Sequence, residues 1–129
     1  MVQDLLGLLA LFFNTSLIIH YRAGAFCGIV FTDENMHELL VGGGETFSRE
    51  TEIFSLSTQS WRSGPDLPHP VVDASYVQLH GSILVIGGQI SSGVYSDKIH
   101  QYDASSSSWI TLPQRLAKAR SYACALKLI

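Results

Sequence analysis

From Arg22 onward the apolar residues come in short runs, each closed by a cluster of Gly, Pro, Ser or Asp. That pattern predicts strands at 26–31, 39–41, 52–56, 74–79, 83–86, 99–102 and 122–128. No amphipathic helical period interrupts them, so this part of the chain reads as all-β. The beginning differs. Leu5, Leu6, Leu8, Leu9, Leu11, Phe12 and Phe13 form an apolar block that resumes, after Asn14-Thr15-Ser16, as Leu17-Ile18-Ile19. A helix over 5–19 would be about 22 Å long, short of the roughly 30 Å hydrocarbon core of a bilayer, so a membrane span is disfavoured. Three readings remain open for residues 1–21. One is a secretory signal ending near Ala23-Gly24-Ala25, although Asp4 stands where such a signal carries positive charge; the others are an apolar helix covering the strands and a translated upstream segment with no role of its own.

The strand region repeats. Leu39-Leu40-Val41-Gly42-Gly43-Gly44 returns as Leu84-Val85-Ile86-Gly87-Gly88, Phe54 returns as Tyr102, and Trp61 returns as Trp109. Each aromatic stands seven residues before its Trp, and each Trp precedes a Leu-Pro pair, Leu67-Pro68 and Leu112-Pro113. Gly43 and Gly87 are 44 apart while the tryptophans are 48 apart, which places a loop longer by four residues in the second copy.

At these residues the chain resembles the kelch repeat, in which an apolar strand ends in a double Gly and is followed by an aromatic, a turn, a Trp and a Leu-Pro element. The resemblance implies four-stranded antiparallel blades of a β-propeller, here two kelch blades at 22–68 and 69–113 with one extra strand at 120–129, a partial propeller. It also implies that the double glycines end the central strands, that Ser57-Thr58-Gln59-Ser60 and Ser105-Ser106-Ser107-Ser108 form the turns before each Trp, and that Phe54, Tyr102, Trp61 and Trp109 are core. Cys27 and Cys124 fall at matching first-strand positions and are expected to be buried thiols. A closed ring needs about four blades or more. Three arrangements are therefore open: part of a larger propeller, self-association, or an open pair covered by the apolar segment.

The 129 residues carry 15% charged residues and a net charge of −3, which fits neither a disordered chain nor a basic nucleic-acid binder. The charges are segregated: Asp33, Glu34, Glu38, Glu45, Glu50 and Glu52 stand before Ser60, and Arg115, Lys118, Arg120 and Lys127 come after Ala104 with no acid among them. The ends of the folded part are thus complementary.

Catalytic signals are absent. Gly42-Gly43-Gly44 lacks the Lys-Ser/Thr of a phosphate loop, the five histidines show no metal-ligand spacing, and there is no G-x-S-x-G elbow. Secreted copper oxidases share the architecture that the resemblance implies, but their Tyr/Cys crosslink and His ligands find no counterpart in the sequence. The reading is a non-catalytic protein-binding module without cofactor or metal, cytoplasmic unless residues 1–25 act as a signal, with a fragment of a secreted propeller oxidoreductase as the alternative. Partners would meet the loops after the double glycines and the connections between blades. Arg49, Tyr95 and Arg115 are the contact residues expected there, because Arg and Tyr dominate interface hot spots.

Overall fold

The computed structural model describes residues 24–33, 36–44, 46–79 and 81–128. The segment 1–21, read above as a helix, lies outside them. The described residues contain strands and turns only. Strands β1 (Ala25–Asp33), β2 (Met36–Gly43), β3 (Thr51–Ser55) and β4 (Ser60–Ser63) form one antiparallel sheet in the order β1-β2-β3-β4. Strands β5 (Ser75–Leu79), β6 (Ser82–Ile86), β9 (Lys98–Asp103) and β10 (Ser108–Arg115) form a second sheet in the order β10-β9-β6-β5, and β7 (Gln89–Ser91) and β8 (Val94–Tyr95) make a hairpin in the β6–β9 loop. The four residues by which the second copy is longer have become that hairpin.

The ladders align the two copies residue by residue. Ile29, Leu39, Phe54 and Trp61 stand opposite one another across the first sheet, and Gln78, Ile83, Tyr102 and Trp109 do so across the second. The first sheet turns its other face to the second. Phe26, Val30, Leu40 and Ile53 close over Ile83, Val85 and Tyr102, and Leu67 and Val71 of the connection seal the cluster. Phe26 meets Trp109 edge to face at 5.7 Å, and Trp109 meets Tyr102 at 5.4 Å. Each fully buried side chain of this size contributes about 1.5–3 kcal/mol, so the two sheets form one core. Gly28 makes the close approach possible, since a Cβ there would lie 2.7 Å from Ile83 Cδ1.

The tight turns behave as the serine-rich segments predicted. Gln59 and Ser107 take positive φ at matching places, and the Asp103 carboxylate accepts from the hydroxyls of Ser105 and Ser106 at 2.7 Å each. Those hydroxyls hold the Asp103 carboxyl below its ordinary range.

Three expectations are corrected. The glycine pair with positive φ is Gly43-Gly44 in the first copy, matching Gly87-Gly88; Gly42 instead leaves room for the Phe26 ring, whose Cζ would lie 2.7 Å from an added Cβ. Leu112-Pro113 lies inside β10, and the residue that does the work of Leu67 is Leu116: Leu67 N–H donates to the Arg49 carbonyl and Leu116 N–H to the Asp97 carbonyl, each at 2.8 Å. The extra strand expected at 120–129 forms no ladder over 120–128, although Tyr122 N–H donates to the Asp73 carbonyl and the Ser75 hydroxyl to the Ala123 carbonyl.

Candidate functional site

Antiparallel order brings the β2–β3 and β6–β9 loops to the same end of the sheets as the connections that leave β4 and β10. Backbone hydrogen bonds tie these four segments together. Gly44 N–H donates to Val71 O, Gly88 N–H to Arg120 O, and Val72 and Gln89 exchange a pair at 2.8–2.9 Å. Positive φ at Gly43 and Gly87 lets the chain turn there, and an added Cβ would strike a connection carbonyl, Val71 O at 2.7 Å and Arg120 O at 2.5 Å. The end is therefore a held surface rather than a set of loose loops.

All three expected contact residues lie at this end, and they are placed unequally. Tyr95, at the edge of the β7–β8 hairpin, is 47% exposed next to Val94 at 47%, an aromatic-aliphatic tip raised by the hairpin. Arg115 closes β10 with its guanidinium 3.7 Å from the Asp97 carboxylate and more than half exposed. Arg49 spends its Nε–H on the Leu67 carbonyl at 2.6 Å, clamping the β2–β3 loop to the connection. Part of its donor capacity is thus structural, while the residue as a whole remains exposed.

A second cluster has no motif in the sequence. His100 on β9 is buried and His69 on the connection reaches it, Nε2 to Nε2, at 3.0 Å. His69 Nδ1 faces the Pro70 carbonyl and must donate to it, so its Nε2 accepts from His100 Nε2–H, and His100 Nδ1 accepts the Thr111 hydroxyl proton at 2.9 Å. The hydrogen-bond chain joins connection, β9 and β10. Burial first, then the neighbouring His69 and Lys98, lowers the His100 pKa to about 4. The pair sits 31 residues apart in sequence, which is why no spacing rule finds it.

Cys27 and Cys124 are free and exposed, contrary to the expectation of buried thiols. The structural repeat over the first strands is 49 residues, linking Gly24, Asp73 and Tyr122, all at positive φ. The cysteines are 97 apart, one short of two repeats, so their side chains fall on opposite faces. Among the described residues no three His, Cys, Asp or Glu side chains gather as a metal-ligand set.

The two sheets are thus successive antiparallel blades of an all-β repeat protein. Residues 70–115 match the Kelch motif, so the second blade carries one. It is also 30% identical over 89 residues to galactose oxidase of Gibberella zeae, a match that spans 68% of this chain and 13% of that protein. A second galactose oxidase sequence from Gibberella zeae matches to the same extent.

Proposed function

We propose that the chain is a non-catalytic protein–protein interaction module whose contact surface is the loop end built by the β2–β3 loop, the β7–β8 hairpin and the two connections. The observation that carries this reading is the pinning of those segments by backbone hydrogen bonds while Tyr95, Val94 and Arg115 stay exposed. A rigid scaffold under exposed Tyr and Arg loses little entropy on binding and offers the residue types that dominate hot spots. The Kelch motif at 70–115 supports the same role.

The test is quantitative capture of partner protein by the chain and by Tyr95→Ala and Arg115→Glu. A protein retained by the parent and lost about tenfold or more in both variants, yet retained by Tyr76→Ser on a different surface, supports the reading. Equal retention by all forms contradicts it.

The likeness to galactose oxidase favours a second reading, in which the chain is a piece of a secreted oxidoreductase. The described residues do not fit a copper centre by themselves: the only close imidazole pair is hydrogen-bonded internally, and no three His, Cys, Asp or Glu side chains gather. Metal analysis after copper loading separates the readings. Stoichiometric tightly held copper favours the oxidoreductase over the binding module.

A further inference from the structure

The face of the first blade turned away from the second is covered. Across it the ladders set Ile29, Leu39, Phe54 and Trp61 in one row. Leu39 and Phe54 are 3% and 2% exposed, as deeply buried as their counterparts Ile83 and Tyr102 at 0% and 1%, which lie under the first blade. Yet Leu39 and Phe54 stand outside the core cluster, no described strand beyond their own sheet packs over them, and Leu67 and Val71 of the connection seal the opposite face. A sheet face left open looks different in this chain. On the far side of the second blade Leu84 is half-buried and Ile110 is 45% exposed.

Trp61 gives a second sign of the same cover. It ends the row on β4, the outermost strand, where Ser60, Arg62 and Ser63 are exposed. Its indole nitrogen is nevertheless sealed from solvent, with no acceptor among the described residues. At a sheet edge such an atom loses its water only when something lies across it. The burial belongs to one chain, so the cover is part of that chain and needs no second copy. Apart from 1–23, the chain outside the described residues amounts to 34–35, 45, 80 and 129, too little to span a four-stranded row about 14 Å wide.

We propose that the apolar segment 5–19 of this same chain seats on that face and caps the first blade, with Leu17, Ile18 and Ile19 against Leu39, Phe54 and Trp61. Residues 5–19 carry no charge, so row and segment both lose apolar surface to water-free contact. Reach agrees with the placement. Ile29 stands five residues after Gly24, and Ile19 to Leu17 stand five to seven before it, so a chain doubling back at Gly24 comes level with the row at about 3.3 Å per residue. The cap closes one face of the two-blade unit. It leaves the loop end clear, because that surface lies at the strand ends and not on this face.

The experiment uses the full chain with isotope-labelled Leu and Ile methyls, its mass measured in solution, and reads proton cross-relaxation from the Trp61 ring. The proposal expects a monomer with cross-peaks from that ring to methyls of Leu17, Ile18 or Ile19. A folded chain in which the Trp61 ring meets no methyl of residues 5–19 overturns it. A dimer whose cross-peaks run only between a labelled and an unlabelled copy overturns it in favour of a cover lent by the second copy. In the full chain bearing Ile18→Asp and Ile19→Asp, the Trp61 indole proton should exchange at least about tenfold faster while that of Trp109 keeps its rate. Unchanged Trp61 exchange overturns the proposal, and if the variant fails to fold the cross-peaks of the parent decide.

Discussion

The indole N–H of Trp109 donates to the carbonyl oxygen of Pro65 at 3.1 Å, from the outer strand of the second blade to the connection that leaves the first. The repeat partner of Trp109 has no such acceptor among the described residues: the Trp61 indole nitrogen is buried there without a hydrogen bond. The two tryptophans occupy the same ladder position and differ in this one interaction. Trp109→Phe should therefore cost about 1–3 kcal/mol, the loss of ring area plus one of the two hydrogen bonds that the Pro65 carbonyl accepts, the other coming from the Thr51 hydroxyl, whereas Trp61→Phe should cost less, because it also deletes a polar group already unsatisfied. Urea denaturation of the two variants checks this; equal losses would contradict it.

Glu38 and Arg62 offer a charge pair with unequal members. The Glu38 side chain is buried and accepts both guanidinium arms, Arg62 Nη2 at 2.9 Å to Oε1 and Nη1 to Oε2, while Arg62 is about half exposed. Removing the arginine leaves a carboxylate buried and unpaired. Arg62→Ala should cost on the order of 2–3 kcal/mol, and adding Glu38→Gln to it should recover part of that loss. A double variant less stable than Arg62→Ala would contradict the account.

Acid should weaken the joint between connection and second blade. His100 has its pKa lowered to about 4 in the folded chain against an ordinary 6.5, so the unfolded chain takes up the proton first as pH falls. The stability that neutral His100 provides is whole above pH 6.5 and is lost as pH drops from there towards about 4. The loss should reach on the order of 2 kcal/mol across that window, and His100→Gln should flatten the profile. Denaturation midpoints measured from pH 7.5 to 4.5 read the slope, and an unchanged slope in His100→Gln would contradict the assignment.

Backbone conformation sets the fourth expectation. Gly43 has φ +73° and its missing Cβ would meet Val71 O at 2.7 Å, a rigid backbone neighbour. Gly43→Ala should cost about 2–4 kcal/mol, since strain and collision add. Gly93, with φ +76° and nothing near its missing Cβ, provides the comparison: Gly93→Ala carries only the conformational term, about 1 kcal/mol. Thermal midpoints of the two variants distinguish collision from strain.

The central strands were legible because they pack on apolar neighbours and read as runs, as at 83–86. The fourth strand of the first blade, Ser60–Ser63, has one apolar residue in four and lies outermost, so neither alternation nor a run announces it. The β7–β8 hairpin is too short for periodicity and turns on Ser92-Gly93. At the loop end, residue type alone singled out Arg49, Tyr95 and Arg115, and the structure adds that Arg49 is a clamp, a duty that depends on where the Leu67 carbonyl comes to rest. The His69–His100 joint depends on where the connection carries His69 over the second blade, which no local spacing encodes. A slip of one residue in the repeat was enough to misplace the cysteines.

Face-to-face packing of the two sheets positions the loop end and the histidine joint alike. The direct measurement is a proton NMR cross-relaxation experiment on the full chain, reading contacts between the Trp109 indole and the Phe26 ring, whose centroids lie 5.7 Å apart. Strong cross-peaks between these rings, together with a slowly exchanging Trp109 indole proton, are the predicted result. Their absence in a folded chain would mean that the two sheets do not stack as blades, and would contradict the account.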